Sequence, residues 1–214
     1  MKATTYIAIA GTIGAGKSTL VDFLCKHFGL QPFFEPNQQN PYLVDFYSDM
    51  KRWGFHSQVF FLAHKFRLHQ QLEAERERRI VVQDRTIYED AEVFAAHLYA
   101  QGKLSERDWQ TYQDLYRAIL GRLAPPDLLV FLRASDKTTR QRIKLRGRPE
   151  EQAIAPSYLR ELNRLYEEWF ARYTLSDTLV IDTSKIDYVS DLVHRIDVLK
   201  MIEKYLPRKK PSGR

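Results

Sequence analysis

The segment GTIGAGKST, residues 11–19, has the residue types and spacing of a loop that binds nucleotide phosphates. It fits the pattern G-x-x-x-x-G-K-[ST], in which glycines allow backbone N–H groups to approach the phosphates. The lysine neutralises the β and γ oxygens, and the serine ligates Mg²⁺. The predicted ATP-binding residues of this loop are Gly11, Gly14, Ala15, Gly16, Lys17, Ser18 and Thr19. The alternative is an ordinary glycine turn between a strand and a helix.

Two further segments, FFEPN and VVQDRT, place charged side chains where predicted strands end. Open parallel sheets bind ligands at the carboxyl ends of their strands, and phosphoryl transfer requires groups that position the acceptor and neutralise charge. Glu35 is therefore predicted to accept the proton of an attacking hydroxyl, and Asp84 to hold Mg²⁺ directly or through water. Arg85 is predicted to clamp the acceptor oxygen and the moving phosphoryl group. The alternative for each is a helix cap or a solvent-facing charge.

The segment RIKLRGRPEEQ, residues 142–152, supplies three arginines at spacings of four and two. Such a basic cluster is predicted to close over ATP from above, with Arg142, Arg146 and Arg148 contacting the donor phosphates. The alternative is a solvated basic helix end that forms local salt bridges with two neighbouring acids.

The elements that must position these residues follow from hydrophobic periodicity. Apolar runs predict strands at residues 5–10, 33–35, 80–84, 128–132 and 178–182. Long helical segments separate the strands; residues 105–124, for example, place apolar side chains at spacings of three and four after Ser105. Strands that are apolar at every position and alternate with helices indicate a buried parallel sheet. The predicted fold class is α/β, a three-layer α/β/α phosphate-loop kinase fold with a five-stranded parallel sheet.

Composition and length agree with one domain built around a single core. The 214 residues are 44% hydrophobic, and we expect a single domain over residues 1–206 followed by a basic tail, residues 207–214. The formal net charge of +6 suits either nucleic acid or small polyanions; the tail lacks interleaved aromatic residues, so no nucleic-acid partner is expected. A single cysteine excludes an intrachain disulfide, and no apolar run approaches the length of a membrane span. We therefore expect a cytoplasmic protein with no membrane partner.

Five separated motifs occur in the order GTIGAGKST, FFEPN, YSDMKRWGFHSQ, DRTIYED and LRGRPEEQAIAPSYL. With these motifs the sequence resembles the deoxyribonucleoside kinases, the family that includes deoxycytidine, deoxyguanosine and bacterial deoxyadenosine kinases. The resemblance runs from about residue 5 to about residue 182. It implies an ATP-dependent, Mg²⁺-requiring transfer of the γ-phosphoryl group to the 5′-hydroxyl of a deoxyribonucleoside in nucleotide salvage.

The resemblance also implies roles for individual residues. Glu35 resembles the catalytic base for the sugar 5′-hydroxyl, with Arg85 beside the reacting atoms and Lys17 on the phosphates. Tyr47 and Glu151 resemble the pair that binds the sugar 3′-hydroxyl. The residues that resemble those of the base pocket are Gln58, which forms a bidentate contact with the base edge, Asp90, which reads the base, and Phe94, which stacks on it. Out of context, each of these side chains has a structural explanation as a surface amide, a core aromatic or an early-helix charge.

Two positions depart from the family pattern. Ser57 stands where many relatives carry an aromatic residue, and Lys65 stands where close relatives often have arginine. Lys65 is expected to pair with Asp90 as a point charge without the planar fork of arginine. A carboxylate paired with a cation resembles the purine and deoxycytidine enzymes, so deoxyadenosine or deoxyguanosine is the predicted substrate and deoxycytidine the alternative.

The resemblance further implies a homodimer formed through a bundle of helices. The aromatic side chains Trp109, Tyr112 and Tyr116 are candidates for that surface, and they are equally compatible with a place in the core.

Two other functions are compatible with a phosphate loop. Thymidylate and related monophosphate kinases share the loop and the Asp-Arg pair, but their acceptor arrives ionised and does not need Glu35 as a base. A non-catalytic nucleotide-binding subunit of the same fold would be expected to lack the loop lysine, the base or the arginine, whereas Lys17, Glu35 and Arg85 are all present. The nucleoside kinase is therefore the favoured reading.

Overall fold

The computed structural model describes residues 5–34, 39–152 and 154–207. Its central sheet is parallel and has the strand order β2-β3-β1-β4-β5. The strands are β1 (Tyr6–Ala10), β2 (Gln31–Phe33), β3 (Val81–Asp84), β4 (Leu128–Arg133) and β5 (Asp177–Asp182). In the register of the sheet, Ile9 lies opposite Asp84 on one side and Val130 on the other. The phosphate loop and the residues after β3 therefore leave the sheet at the same edge.

Ten α-helices within the described residues surround this sheet. They are α1 (Lys17–Phe28), α2 (Leu43–Ser48), α3 (Met50–Glu75), α4 (Ile87–Glu89), α5 (Ala96–Ala100), α6 (Glu106–Leu120), α7 (Asp136–Arg146), α8 (Pro149–Gln152), α9 (Pro156–Arg172) and α10 (Leu192–Glu203). A π-helical segment, Asp90–Ala95, connects α4 directly to α5. Its wider turn changes the direction in which side chains point along this continuous helical stretch.

Two apolar cores lie on the opposite faces of the sheet. Alternate residues of a strand point to opposite faces, and Ile7 and Ile9 of β1 join one core while Tyr6 and Ala8 join the other. Helices α1 and α10 cover the first core; α3, α6 and α9 cover the second. This arrangement confirms the predicted three-layer fold with a five-stranded parallel sheet.

The predicted boundary of the second strand was wrong by two residues. The apolar run at 33–35 indicated a strand there, whereas β2 begins at Gln31 and ends at Phe33. Pro32 lies inside it and is tolerated because β2 is an edge strand, which can do without one ladder N–H. The helical segment expected at 105–124 is α6, which begins at Glu106 and ends at Leu120, four residues short of the expected end. The side chain of Ser105, its N-cap, accepts a hydrogen bond from Asp108 N–H.

Of the aromatic residues considered for a dimer surface, Tyr112 is fully buried and Tyr116 nearly so, and both belong to the core. Trp109 packs against them from a half-buried position. None of the helices in the described ranges has the length and apolar character that a membrane crossing requires. The division into a domain at 1–206 and a tail at 207–214 stays a prediction, because residues 208–214 lie outside the described residues.

Candidate active site

The phosphate loop connects β1 to α1 through a series of backbone conformations that favour glycine. Gly11, Gly14 and Gly16 have φ values of 145°, 79° and 104°. Lys17 is the first residue of α1, and its buried Nζ donates hydrogen bonds to Gly11 O at 2.9 Å and Thr12 O at 3.0 Å. The lysine thus lies across the mouth of its own loop, where a phosphate would meet both its charge and the N–H groups at the start of α1.

Gly14 offers a direct test of this loop geometry. A Cβ atom at Gly14 would lie 2.8 Å from the backbone oxygen of Thr139 in α7, whereas Gly29, with a similar φ of 73°, has no atom within 4 Å of such a Cβ. Gly14→Ala is expected to raise the KM for ATP roughly tenfold or more. The added Cβ forces the loop away from α7, and we expect this displacement to weaken ATP binding by at least about 1.4 kcal/mol. Gly29→Ala is the control, because it places alanine in the same left-handed backbone conformation without a steric clash.

The measurement is the KM for ATP and the melting temperature of both variants. We expect Gly29→Ala to lose about 1 kcal/mol of stability with an unchanged KM, since only the left-handed conformation is penalised. Equal KM values in the two variants would show that the close approach between the loop and α7 does not shape the ATP site.

Asp84 ends β3 directly beside the phosphate loop. Its Oδ2 accepts a short hydrogen bond from Ser18 Oγ, and its buried Oδ1 receives no hydrogen bond from the described residues. A hydroxyl and a carboxylate with a spare oxygen form the oxygen-rich donor set that Mg²⁺ prefers. The two predicted metal ligands therefore lie together and fit a magnesium ion brought by a nucleotide.

Arg85 follows β3 in a left-handed conformation, with φ 60°. Its N–H continues the sheet by donating to Ile9 O at 3.0 Å, and its guanidinium lies 4.5 Å from the centre of the Phe94 ring. The left-handed turn costs a non-glycine residue on the order of 1–2 kcal/mol, and such cost is often found at functional sites. The arginine is 6% exposed. It therefore occupies a fixed position at the inner end of the site.

A cavity connects the phosphate loop to the helices above it, and we call it the first cavity. Its wall includes most of the residues predicted for catalysis, metal binding and substrate binding: Lys17, Ser18, Tyr47, Gln58, Asp84, Arg85, Asp90, Phe94, Arg146, Arg148 and Glu151. Long-range folding thus brings residues from four of the five separated motifs to the wall of one cavity. Glu35, the predicted base, lies outside the described residues.

The polar groups on the helical side of the first cavity differ in their hydrogen bonding. Gln58 of α3 is 4% exposed, and its Oε1 accepts no hydrogen bond within the part of the chain that the structure describes. Lys65 Nζ lies 3.6 Å from Asp90 Oδ2, so the expected pair between these residues is present. An unsatisfied buried amide beside a paired carboxylate is suited to hydrogen bonding with the edge of a nucleobase.

Glu151 lies opposite, in the short helix α8. Its Oε2 accepts hydrogen bonds from Arg146 Nε at 3.0 Å and Nη2 at 2.6 Å, and its Oε1 lies 3.4 Å from Arg148 Nη1. Glu151 and Tyr47 face the same cavity, as required if they bind one hydroxyl. Arg146 and Arg148 thus form local salt bridges with Glu151, one of the two acids that the sequence offered for such bridges, and all three side chains line the first cavity.

The structure separates the three arginines of this segment. Arg148 lines the first cavity, Arg146 lines both cavities, and Arg142 lines only a second cavity on the other side of the loop. Arg142 donates to Ala15 O at 3.0 Å and to Thr183 Oγ1 and O at 2.9 Å each. The contact of Arg142 with donor phosphates stays a prediction, and its observed bonds attach the loop to the end of β5.

The second cavity lies between α7 and the segment that follows β5. Its wall includes Gly14, Gly16, Thr19, Arg142, Thr183 and Ser190. Sequence reasoning assigned no role to DTSKIDYVS, residues 182–190, although Tyr188 OH donates to Gly16 O at 2.9 Å. The signal was available, since polar residues directly after a parallel strand lie at the ligand-binding edge of the sheet.

Glu89 is a second residue that sequence reasoning missed. Its fully buried carboxylate accepts hydrogen bonds from Gly11 N–H at 3.3 Å and Tyr166 OH at 3.1 Å through Oε1. Its Oε2 accepts from Thr86 N–H at 2.8 Å and Thr86 Oγ1 at 3.0 Å. The spacing Thr-x-x-Glu signals a helix capping box, which α4 has, but not the contact with the phosphate loop.

Burial raises the pKa of the Glu89 carboxyl above its ordinary value of 4.5, opposed first by Arg85 and then by the Thr86 N–H. A carboxyl whose pKa is raised on folding favours the folded state at low pH and loses that contribution as the pH rises. The free energy of unfolding of the native protein, relative to Glu89→Gln, is therefore expected to fall as the pH rises above about 4.5. Urea unfolding of both proteins between pH 4 and 8 measures this difference.

Glu92→Gln is the matched control, because this exposed carboxylate also accepts hydrogen bonds from a tyrosine and a tryptophan, Tyr116 and Trp169. A Glu89→Gln difference that stayed constant with pH, or that followed the Glu92→Gln difference, would contradict the burial effect.

A phosphate loop, a strand-end Asp-Arg pair and a parallel five-stranded sheet between helices define a nucleotide-binding kinase of the phosphate-loop class. A model of the deoxynucleoside kinase family matches residues 7–207 of this chain. The chain therefore belongs to the deoxynucleoside kinase family, which confirms the resemblance found in the sequence and makes the protein a nucleoside-directed phosphotransferase.

Known relatives agree with this assignment. The chain is 36% identical to the deoxyadenosine/deoxycytidine kinase of Bacillus subtilis, over 86% of this chain and 85% of the relative. It is 39% identical to a deoxyguanosine kinase of Lactobacillus acidophilus, over 92% and 89%. Among solved structures, it is similar to deoxyadenosine kinase from M. mycoides with bound dCTP, with a TM-score of 0.80 and 32% identity over 93% of this chain and 99% of that chain.

Proposed function

We propose that the protein transfers the γ-phosphoryl group of ATP to the 5′-hydroxyl of a purine deoxyribonucleoside, deoxyadenosine or deoxyguanosine. The observation that carries the proposal is the first cavity, which joins a phosphate-binding end at Lys17 to a base-binding end at Gln58 and Asp90. The relatives named for deoxyadenosine and deoxyguanosine support the purine preference. Deoxycytidine is the second candidate, because one relative is named for both nucleosides.

The two ends of the cavity divide the work of the reaction. Lys17 and Arg85 supply positive charge where the moving phosphoryl group gathers negative charge. Ser18 and Asp84 hold Mg²⁺, which neutralises phosphate oxygens when it is bound. Glu35 accepts the proton of the 5′-hydroxyl as the oxygen attacks.

The other end of the cavity selects the acceptor. Gln58 and Asp90 offer donors and acceptors to the base edge, and Phe94, held under the Arg85 guanidinium, supplies a flat surface for stacking. Tyr47 and Glu151 bind the sugar 3′-hydroxyl, so a nucleoside that lacks this hydroxyl leaves buried polar groups without partners. Arg146 and Arg148 connect this contact to the donor phosphates, since both hold Glu151.

The proposal includes a cytoplasmic homodimer. A single cysteine suits a reducing compartment.

Helix α3 presents a partly exposed face of mixed character, in which Phe60 stacks on His64 beside Leu68 and Arg67. Aromatic and arginine side chains are enriched in protein interfaces, so this face is a candidate for contact with a second copy. Light scattering at micromolar concentration measures the mass of the particle.

The experiment that tests the function is the initial rate with Mg·ATP on four deoxyribonucleosides, four ribonucleosides and thymidylate. We expect deoxyadenosine or deoxyguanosine to have the highest kcat/KM. Glu35→Gln is expected to lower kcat by about 100-fold, because the amide cannot accept the proton in the transition state. Unchanged binding of ATP in that variant is the control for folding.

The outcomes separate the possibilities. Highest activity on deoxycytidine would move the preference to the second candidate, and activity on thymidylate alone would contradict a nucleoside acceptor. Full activity of Glu35→Gln would remove Glu35 from the proposed mechanism without changing the reaction.

A further inference from the structure

Lys65 is a fully buried lysine in the middle of α3 that stands behind the described wall of the first cavity. Its Nζ donates a hydrogen bond to Arg85 O at 2.7 Å and lies 3.6 Å from Asp90 Oδ2. One ammonium group therefore contacts both the backbone of Arg85, proposed to bind the moving phosphoryl group, and the side chain of Asp90, proposed to bind the base.

The carbonyl that accepts the hydrogen bond from Lys65 belongs to Arg85, whose left-handed backbone conformation is unfavourable for a residue other than glycine. In the part of the chain that the structure describes, Arg85 is the one non-glycine residue with positive φ. The peptide group that joins Arg85 to Thr86 is held at both ends by buried charged side chains. Its oxygen accepts from Lys65, and its N–H donates to Glu89 Oε2. Such external contacts are what allow a left-handed arginine to persist.

We propose that Lys65 is a positioning residue that fixes the Arg85 guanidinium for phosphoryl transfer through its hydrogen bond to the Arg85 carbonyl. The inference rests on the proposed function, because it uses the roles given there to Arg85 and Asp90. Lys65 acts on the reaction through the backbone of Arg85, since its side chain does not line the first cavity.

The chemistry of lysine fits this double contact. An ammonium group is compact and carries three donors, so it reaches a carbonyl oxygen and a carboxylate oxygen from one point. The guanidinium of arginine is longer and planar, so it presents its donors in a different geometry from the compact ammonium. Methionine approximates the apolar stem of lysine as far as Cε and removes the donors.

The test compares Lys65→Met, Asp90→Asn and the double variant, with kcat and KM measured on deoxyadenosine and on deoxycytidine. We expect Lys65→Met to lower kcat roughly tenfold on both nucleosides, the size of effect seen when a residue acts through another. We also expect Lys65→Met to lower kcat by a similar factor in the Asp90→Asn background, because the contact with Arg85 O is independent of the carboxylate.

A residue that served Asp90 alone would behave differently. It would change KM and the preference between the two nucleosides, and Lys65→Met would have no effect on kcat once Asp90 is asparagine. Either result overturns the inference. Lys103→Met is the control, because this lysine lies in the turn after α5 and lines neither cavity.

Failure of the proposed function and failure of the inference about Lys65 give different results. A native protein inactive on every nucleoside contradicts the proposed function and the inference together, whereas an active native protein with an unaffected Lys65→Met variant contradicts the inference alone. If Lys65→Met does not fold, judged by its melting transition, Lys65→Arg is measured in the same two backgrounds. A base-independent fall in its kcat supports the inference, and a change confined to KM overturns it.

Discussion

Arg85→Lys is expected to lower kcat by roughly three to four orders of magnitude, the range associated with an arginine that stabilises phosphoryl transfer. Arg85 lines the first cavity beside Lys17 and Asp84, and its guanidinium is fixed against the Phe94 ring. A lysine keeps the charge but loses the planar fork that contacts the acceptor oxygen and the phosphoryl group together. Single-turnover rates at saturating ATP and nucleoside measure the effect on the chemical step.

Arg133→Lys is the matched control for this variant. Arg133 also ends a strand of the sheet, forms a two-pronged contact with Glu167 at 2.7 Å and 2.6 Å, and lies over the Phe131 ring. It lines neither cavity, so its replacement is expected to leave kcat unchanged. A loss at Arg85 no larger than the loss at Arg133 would show that Arg85 supports the structure and does not act on the phosphoryl group.

The backbone frame of the site was predictable because it depends on local patterns and one topological rule. The glycine spacing of the phosphate loop required a strand before it and a helix after it, and β1 and α1 are both present. Runs of apolar residues located β3, β4 and β5 closely, and parallel strands place their carboxyl ends at one edge. The sequence therefore predicts Asp84 and Arg85 beside the loop, and the register of β3 against β1 places them there.

The contacts that complete the site were not predictable, because they join residues far apart in the chain. Glu89 reaches Gly11 across 78 positions, and Lys65 reaches the carbonyl of Arg85 across 20. A capping box signals Glu89 and a family pattern signals Lys65, but neither specifies a long-range partner. Arg142 lies within α7, whereas Arg148 lies beyond the end of this helix at Gly147, which has φ 67°, and helical periodicity does not define the path of the chain after such a turn.

The buried charges of the site form a connected set. Lys65 bridges Arg85 O and Asp90, Glu89 bridges Thr86 and Gly11, and Lys17 returns to the carbonyls of Gly11 and Thr12. Removing one member of such a set leaves another buried polar group without its partner, which costs more than the pair itself is worth. Variants at these positions therefore need a kinetic readout that separates catalysis from stability.

Lys17→Met is the second variant with a large expected effect. We expect kcat to fall roughly 1000-fold and the ATP-dependent rise in melting temperature to become smaller. In the structure, Lys17 Nζ donates to Gly11 O and Thr12 O, so the same ammonium holds the loop and lies where the β and γ phosphates enter. Methionine keeps an unbranched apolar stem up to the position of Cε but provides neither donors nor charge. The two losses can be measured separately. Loss of the bonds that hold the loop lowers the melting temperature without nucleotide, and loss of phosphate binding reduces the rise in melting temperature that ATP produces.

The ATP-dependent shift in melting temperature distinguishes binding from catalysis. A ligand that binds only the folded state at 100 times its dissociation constant stabilises it by about 2.7 kcal/mol, so a much weaker ATP complex loses most of that shift. Lys26→Met is the control, because it removes a charge from the exposed last turn of the same helix, away from the cavity wall. A Lys17→Met protein with a normal ATP shift and normal kcat would remove Lys17 from the reaction. A normal shift with low kcat would confine its role to the transition state, where the charge on the moving phosphoryl group is greatest.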